Sequence, residues 1–378
     1  MTLFLLTFFL LYGSLHLYAF LKARAAFAFS TLTGIFIAGF MLIMILAPII
    51  VRFSEKAGFD FFARLISYTG YMWMGILFLF VSSSLVIDLH RLIISAGGFI
   101  LRHDLSSFAI TRQHAFFIPL MISIGIAVYG YFEAGNIRTE TFTIKSHKIP
   151  ADIDRLRIAQ ISDVHLGLIV RESRLKKILT EVKNADPDIL VSTGDLVDGQ
   201  IDNLSELAAM LREINPRFGK FAITGNHEFY AGLEQSLNFT AQAGFTVLRG
   251  ERVNLEGITI AGVDDPQARS FGPYPSRSEK DLLSDIPDGR FTLFLKHRPL
   301  VDGKSHGLFD LQLSGHVHRG QIFPFSIITG LYYQTQAGFA NLSDGSSLYV
   351  SRGSGTWGPP IRFLSPPEVT VIDLVHAQ

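Results

Sequence analysis

Four long apolar runs occupy the first third of the sequence and limit what that part of the chain can fold into. They are Thr2–Phe20, Thr31–Val51, Ile66–Ile87 and Ala115–Phe132. Each has about the 17 to 25 residues that a helix needs to cross the hydrocarbon core of a bilayer. The first run is like the core of a signal peptide, but no basic residues precede it and three further runs follow. The sequence therefore predicts an all-α transmembrane bundle of about four helices.

Charged residues are scarce in this part of the chain and frequent in the rest. Residues 1–137 contain 13 of the 66 charged side chains, and the other 241 residues contain 53. We therefore predict a transmembrane helical domain over residues 1–137 and a soluble domain over residues 138–378.

The membrane part leaves two alternatives open. Basic residues flank the apolar middle of Leu89–Arg102, so three spans with an interfacial helix at this segment are the alternative to four. Loop lysines and arginines number five on one side and three on the other, which weakly places the soluble domain outside the cytoplasm. A transporter would carry partnered ionisable groups in mid-span, whereas His16 and Tyr18 lie near a span end and Asp88 at a boundary.

Composition excludes several classes of function. The formal net charge is zero, which argues against a nucleic-acid-binding protein that relies on a broad basic field. The sequence contains no cysteine, so thiolate metal sites, cysteine nucleophiles and disulfides are excluded.

The soluble part begins with alternating strand and helix patterns. Buried strands are predicted in Arg155–Gly167, Asp188–Asp195 and Lys220–Glu228, and amphipathic helices lie between them. Strands and helices in this order imply parallel strand pairing with right-handed crossovers. After Gly244 the sequence is mostly of strand type, with a hairpin at Glu256-Gly257. These patterns predict a mixed α/β domain with two sheets and outer helices.

Five of the predicted strands end in short polar motifs. The side chains of interest are Asp163, His165, Asp195, Asn226, His297, His316 and His318. The carboxyl ends of strands in open α/β sheets are where ligands gather, so we expect these side chains at one rim. Oxygen and imidazole ligands without sulfur suit Mn, Fe, Zn, Co or Ni. Each motif alone is also compatible with a turn or a helix cap.

The ordered motifs D-x-H, G-D, G-N-H-E, a single H and G-H-x-H resemble those of the calcineurin-like metallophosphoesterases. The resemblance extends from Glu140 to about Val375. The stretches ISDVHLG, STGDLVDG, GNHEFYAG and SRGSGTWGPPIRFLSPPE are similar to those of its bacterial membrane-associated branch. The resemblance implies an αββα double-sheet sandwich with two divalent transition-metal ions, manganese favoured, in the inner membrane of a bacterial cell.

The resemblance also implies a role for each motif residue. The first metal would be held by Asp163, His165 and His318, the second by Asn226, His297 and His316, and both by a bridging Asp195. His227 corresponds to the family's histidine that is not a ligand and that protonates the leaving group or stabilises the transition state. A hydroxide bridging the metals would attack the phosphorus.

The expected function is that of a membrane-anchored phosphohydrolase. It would cleave a phosphomonoester, phosphodiester or pyrophosphate, and because four spans exceed what an anchor needs, we expect a lipid-linked substrate. A similar branch cleaves the pyrophosphate of lipid A precursors, which would require a cytoplasmic site. The alternatives are a non-catalytic sensor or scaffold with a phosphoesterase-like shell, and a transporter with an appended domain.

Five further residues near the motifs have two interpretations each. Arg298 and Arg319 could bind substrate phosphate or be solvated, and Arg362 could bind an anionic substrate or form a surface ion pair. Glu228 could orient a neighbour or cap the following helix, and Asp198 could orient a ligand or be structural.

Overall fold

Four long helices form the amino-terminal third of the chain. In the computed structural model, which describes residues 2–199, 204–272, 277–342 and 345–377, they are α1 (Thr2–Phe27), α2 (Thr31–Lys56), α3 (Asp60–Leu101) and α4 (His114–Glu133). All four are long and apolar enough to cross a membrane. The prediction of four apolar helices before an α/β domain is therefore confirmed.

Helix α3 is much longer than a single span requires. Its 42 residues correspond to about 63 Å at 1.5 Å per residue, roughly twice the hydrocarbon thickness of a bilayer. It runs without interruption through the segment Leu89–Arg102 as far as Leu101, and Arg102 ends it in the left-handed backbone region. The alternative prediction of a separate interfacial helix at this segment is therefore wrong, because the segment continues the helix that contains the third apolar run.

The helical part contains partnered polar groups, which the sequence did not reveal. Lys22 Nζ lies 2.8 Å from Asp88 Oδ1, and Tyr18 OH donates to Asp88 Oδ2 at 2.5 Å. Trp73 Nε1–H donates to His16 Nε2 at 2.9 Å. These contacts join α1 to α3 and compensate groups that would be costly to leave unpaired in lipid.

The rest of the described chain is built on twelve strands and six further helices. The strands are β1 (Arg138–Ser146), β2 (Leu156–Ile161), β3 (Ile189–Ser192), β4 (Lys220–Ala222), β5 (Thr246–Val247), β6 (Glu251–Asn254), β7 (Ile258–Gly262), β8 (Phe291–Leu295), β9 (Leu311–Ser314), β10 (Gly338–Asn341), β11 (Ser347–Val350) and β12 (Glu368–His376). The helices are α5 (Glu172–Ala185), α6 (Ser205–Arg212), α7 (Asn226–Ala231), α8 (Leu233–Gln242), α9 (Glu279–Ser284) and α10 (Phe325–Gly330).

The strands form two six-stranded sheets. The first has the order β1-β12-β2-β3-β4-β5 and the second β10-β11-β9-β8-β7-β6. Strands β2, β3 and β4 pair in parallel, as the alternation of strands and helices predicted, and β6 and β7 form the predicted antiparallel hairpin. Mixed sheets with outer helices confirm the predicted fold class.

The two sheets pack face to face with helices on their outer sides. Ile158 and Val191 of the first sheet and Ile260 and Leu293 of the second share one buried cluster, which is the core between the sheets. Helices α5 and α6 pack on the other face of the first sheet, and α9 packs on the second. Strands β2, β3, β4, β8 and β9 are buried along nearly all of their length, so the polar residues that follow them mark where each leaves the core.

The chain divides into two compact units. One comprises Met1–Tyr131 together with Gly358–Ile361, and the other comprises Phe132–Trp357 together with Arg362–Gln378. We call the second of these the α/β unit, because it contains both sheets.

Candidate metal centre

The backbone after the central strands adopts an unusual conformation at five of the seven predicted ligands. Their φ angles are positive: 51° at Asp163, 54° at His165, 50° at Asp195, 70° at His316 and 49° at His318. A residue with a Cβ in this region costs about 1–3 kcal/mol and persists only where the surroundings impose it. Such strain concentrated at strand ends is typical of a functional site, where it turns side chains toward a common centre.

Backbone hydrogen bonds connect these strand ends to one another. Asp163 N–H donates to Gly194 O and His165 N–H to Asp195 O, both at 3.0 Å, which joins the loops after β2 and β3. The Asp163 carboxylate accepts the backbone N–H of His316 at 2.9 and 3.0 Å. Because β2 and β9 belong to different sheets, this contact holds the two sheets together at the site.

Asp163, His165 and His318 form the first group of close donor atoms. One ligand atom from each lies within 4.8 Å of the others. His165 Nε2 and His318 Nε2 are 3.1 Å apart, and His318 Nε2 is 3.3 Å from Asp163 Oδ1. Burial and the nearby His227 lower the pKa of His165 to about 3, which keeps its imidazole in the neutral form that binds metals.

Asp195, His297 and His316 form the second group. His297 Nε2 lies 3.2 Å from Asp195 Oδ2 and 3.2 Å from His316 Nδ1. The same Oδ2 atom of Asp195 lies 3.9 Å from His165 Nε2, a member of the first group. One carboxylate oxygen therefore faces both groups, which is the geometry that a bridging ligand needs.

Unpaired buried atoms give an independent test of whether this site fits metal ions. Asn226 Oδ1, at one of the predicted ligands, is buried and has no hydrogen-bond partner among the described residues. A buried polar atom without a partner costs about 1–3 kcal/mol, and a cation would compensate it. The four imidazoles and two carboxylates of the two groups, without sulfur, fit divalent transition metals.

His227 lies beside the first group and is held by two aspartates. Its Nδ1 is 2.8 Å from Asp198 Oδ1, and its backbone N–H donates to Asp195 Oδ1 at 2.8 Å. Burial alone would lower the pKa of His227, but Asp195 and Asp198 raise it to about 9. The two aspartates thus favour the protonated form of the His227 imidazole. It also lies within ligand distance of His165 and Asp195, so the geometry alone permits a ligand role as well.

Glu228 both caps a helix and positions Asp195, so the structure combines the two interpretations of this residue. Its carboxylate accepts the backbone N–H groups of Gly225 at 2.6 Å, Leu196 at 2.8 Å and Asp195 at 3.1 Å. Burial and repulsion by Asp195 raise the pKa of Glu228 to about 7. Glu228 therefore connects the start of α7 to the loop after β3.

The three arginines near the motifs have different environments. Arg298 is half-buried and forms a two-point ion pair with Asp265 at 2.7 and 2.9 Å, so it is not simply solvated. Arg362 is fully buried: it donates to the carbonyl of Arg352 at 2.6 Å and its Nη2 lies 3.0 Å from His318 Nδ1. Both earlier interpretations of Arg362 are therefore wrong. Arg319 is exposed and has a left-handed backbone.

Sequence reasoning missed several residues that support this centre. Ser162 Oγ donates to Asp163 Oδ2 at 2.5 Å. The Tyr333 ring lies against His316 with centroids 5.7 Å apart, and the Trp357 ring lies 5.8 Å from that of His227. Ser162 immediately precedes the D-x-H motif, which could have drawn attention to it. Tyr333 and Trp357 carry no signal in a single sequence, because only folding brings them to the histidines.

Two groups of histidine and aspartate side chains that could hold metal ions, at the strand ends of a two-sheet fold, are the arrangement expected of a metal-dependent phosphoesterase. Residues 156–320 match the family model described as calcineurin-like phosphoesterase. An uncharacterized metallophosphoesterase of Aquifex aeolicus (strain VF5) is 40% identical over 257 residues, covering 68% of this chain and 98% of that protein. The chain therefore belongs to the calcineurin-like phosphoesterase family.

Two further relatives match over a large part of the chain, and one of them is described as a transmembrane protein. An uncharacterized metallophosphoesterase of Campylobacter jejuni is 30% identical over 339 residues, which is 86% of this chain and 87% of that protein. A transmembrane protein with metallophosphoesterase domain of Danio rerio is 33% identical over 280 residues, which is 69% of this chain and 62% of that protein. Together with the four apolar helices, these matches identify a membrane protein with a metal-dependent phosphoester hydrolase domain.

Proposed function

We propose that this protein is a phosphohydrolase of the bacterial inner membrane that cleaves a phosphoester or pyrophosphate of a lipid-linked substrate. The observation that carries the proposal is the position of one carboxylate oxygen, Asp195 Oδ2, which faces two groups of donor atoms from four strand ends. The hydrolase domain would begin at residue 138 and the transmembrane domain would comprise residues 1–137.

The ligand assignment follows the two groups. Asp163, His165 and His318 would hold one cation, Asn226, His297 and His316 the other, and Asp195 both. Divalent cations at this place, manganese favoured, would supply Lewis-acid charge for phosphate oxygens and lower the pKa of a water molecule. The distances of 3.1–3.3 Å within the groups support this assignment, and so does the unpaired Oδ1 of Asn226.

The chain's own contribution to catalysis would come from His227. In its protonated form, the imidazole can stabilise negative charge on the phosphoryl group and donate a proton to the leaving oxygen. Asp198 keeps the ring oriented through the 2.8 Å contact to Nδ1, which leaves Nε2 available to the substrate. Asp195 fixes the backbone of His227 through Oδ1, so the acid and the shared carboxylate are positioned as one assembly.

A lipid-linked substrate is supported by the number of spans. One helix is sufficient to anchor a domain, yet the chain has four helices able to cross a membrane. Only four residues separate the end of α4 at Glu133 from the start of β1 at Arg138. A linker of this length reaches about 14 Å at most, so the hydrolase domain stays near the bilayer surface where lipid phosphates lie.

Turnover of lipid phosphates by the detergent-solubilised protein with added Mn²⁺ tests the proposal. Phospholipids, lipid-carrier phosphates and nucleotide–lipid pyrophosphates are compared with a soluble aryl phosphoester. We expect at least one lipid class to be hydrolysed faster than the aryl ester, and Asp195→Asn to abolish both activities. Hydrolysis of the aryl ester alone, with every lipid phosphate left intact, would contradict a lipid-linked substrate.

The membrane side is a separate part of the proposal. The excess of loop lysines and arginines favours an extracytoplasmic hydrolase domain. Protease added to intact spheroplasts should therefore cleave the hydrolase domain without membrane disruption. Protection in spheroplasts with cleavage in inverted vesicles would instead place the domain in the cytoplasm, where a substrate of the lipid A precursor type would be available.

A further inference from the structure

The segment Gly320–Leu342 of the α/β unit, which follows His318 and Arg319, contains no charged residue and is rich in exposed apolar side chains. No Asp, Glu, Lys or Arg occurs from Gly320 to Leu342, whereas 53 charged residues are distributed over residues 138–378. Half of the exposed large apolar side chains described between residues 138 and 377 belong to its ten residues 323–332. These are Phe323, Phe325, Ile327, Ile328, Leu331 and Tyr332, which we call the apolar patch.

The apolar patch lies on helix α10 and the residues beside it, which are attached to the rest of the α/β unit. Helix α10 presents Ile327 and Ile328 at 61% and 55% exposure, and Leu331 just beyond it is 86% exposed. The segment is joined to the rest of the unit by the backbone bond from Phe323 N–H to Phe363 O, and Leu364, the next residue, is 59% exposed. A cluster of this kind on a soluble surface would normally lead to association or mark an interaction site.

The predicted ligands His316 and His318 lie just before this segment in the sequence. Tyr333 directly follows the apolar patch, is itself buried, and packs its ring against His316. In the sequence, exposed Arg319 lies between His318 and the apolar patch, and it lines one cleft together with Ser326 of α10. Aliphatic and aromatic side chains next to a basic residue are typical of protein segments that lie in the interfacial layer of a bilayer.

We propose that the apolar patch inserts into the interfacial layer of the membrane in which the chain is anchored. The bilayer is the favoured occupant because the four apolar helices keep the domain tethered to a lipid surface, so docking requires no encounter from solution. Insertion to the depth usual for interfacial helices, about 5–10 Å, would place the start of the segment at the level of the lipid headgroups. The proposal deepens the proposed function by explaining how a phosphate at that level would reach His316 and His318.

Site-specific fluorescence in lipid nanodiscs tests this insertion without relying on activity. The chain contains no cysteine, so Leu331→Cys gives a single labelling site for an environment-sensitive fluorophore in the full-length protein. Arg217→Cys in the same unit, at a side chain 71% exposed, is the matched control. We expect blue-shifted emission at position 331 and quenching by lipids with a nitroxide on the upper acyl chain, about threefold or more stronger than at position 217.

Two outcomes would overturn insertion. Emission at position 331 that matches the water-exposed control, with no quenching by lipid, would show that the patch stays in solvent. A blue shift that nitroxide lipids do not quench would show that a protein surface, such as a second copy of this chain, covers the patch.

A double variant tests the consequence for turnover. Ile327→Gln with Leu331→Gln should leave hydrolysis of the soluble aryl phosphoester unchanged and reduce hydrolysis of a lipid phosphate in vesicles about fivefold or more. Equal loss on both substrates, or no loss on either, would contradict a docking role. If the unmodified protein cleaves no lipid phosphate, the proposed substrate is wrong, and the quenching result still decides whether the patch is inserted.

Discussion

At the scale of single residues, the site depends on side chains that are held in position by others further from the centre. Glu228 binds the backbone of the Asp195 loop, Asp198 holds His227, and Arg362 contacts His318 while binding surrounding carbonyl groups. None of these three residues is among the expected ligands. Each is buried or hydrogen-bonded so that a neighbouring residue has a single orientation, which is how a metal centre obtains its geometry.

His227 is the residue whose role is most open to direct measurement. His227→Ala should leave the metal content near normal and lower kcat about 10²- to 10³-fold, because a general acid is lost while the donor groups remain. Asp198→Asn should act in the same direction with a smaller loss, since it removes only the orienting carboxylate. Metal analysis gives the metal content of each variant, and steady-state kinetics with an aryl phosphoester gives its kcat. Loss of metal in His227→Ala would show that His227 is a ligand.

At the scale of elements, the site depends on how closely the strand ends approach one another. Gly225 and Gly315 precede Asn226 and His316, and a Cβ on either would overlap a carboxylate of the centre. On Gly315 it would lie 2.0 Å from Ser162 Oγ and 2.1 Å from Asp163 Oδ2, and on Gly225 2.1 Å from Asp195 Oδ1. The glycines of the G-N-H-E and G-H-x-H motifs are thus required by the packing of one strand end against the next.

Gly315→Ala should separate β9 from the loop after β2 and reduce metal binding at least about tenfold, because the backbone N–H of His316 could no longer reach Asp163. Gly289→Ala is the matched control, since a Cβ there meets no atom within 4 Å. Calorimetric titration of the metal-depleted proteins with Mn²⁺ compares the two variants. Wild-type affinity in Gly315→Ala would show that the strand ends tolerate a wider spacing.

The pairing of β2 with β12 contains a pH-dependent contribution to stability. Arg157 donates two hydrogen bonds to Asp373 at 2.7 and 2.9 Å, and these bonds hold the pKa of Asp373 below its usual value. A carboxyl with a lowered pKa in the folded state contributes stability that is complete above its unfolded pKa of about 3.9 and is lost as the pH falls through the folded value.

Asp373→Asn should therefore lower the free energy of unfolding by about 1 kcal/mol at pH 7, a shift of about 2–4 °C in Tm. The difference from the unmodified protein should diminish below about pH 4, where the carboxyl becomes protonated. Scanning fluorimetry from pH 7 to below pH 4 measures the Tm difference between the variant and the unmodified protein. Asp288→Asn, at an exposed turn, is the control. A difference that is constant with pH would show that the ion pair is not its source.

At the scale of the whole molecule, one chain combines a set of membrane helices with a hydrolase sandwich. Protein purified without chelator should contain about two divalent transition-metal ions per chain, because two groups of donors share one carboxylate. Removing the metal should abolish turnover and lower Tm, since ions that bind only the folded state stabilise it. Elemental analysis and a thermal scan before and after chelation check both effects, and less than one ion per chain would contradict a two-metal site.

Much of this architecture follows from local patterns along the chain. Apolar runs of sufficient length predict the four membrane helices, since the thickness of the bilayer leaves few alternatives. The alternation of strands and helices after Glu140 predicts parallel pairing, and the motifs identify strand ends such as Asp163 and His297. The continuity of α3 through Leu89–Arg102 was not predictable, because basic residues flanking an apolar stretch suit both a helix extension and an interfacial helix.

Other features depend on contacts between residues far apart in the sequence. The environment of Arg298 depends on Asp265, which only the fold brings beside it. The burial of Arg362 next to His318 likewise depends on the fold. Lys22 and Asp88 lie in different helices, and their pairing depends on how α1 packs against α3. Local sequence thus specifies secondary structure and the chemical types of the ligands, since both depend on near neighbours. Burial, pairing and pKa are decided by the tertiary structure, because they depend on which distant groups replace water around each side chain.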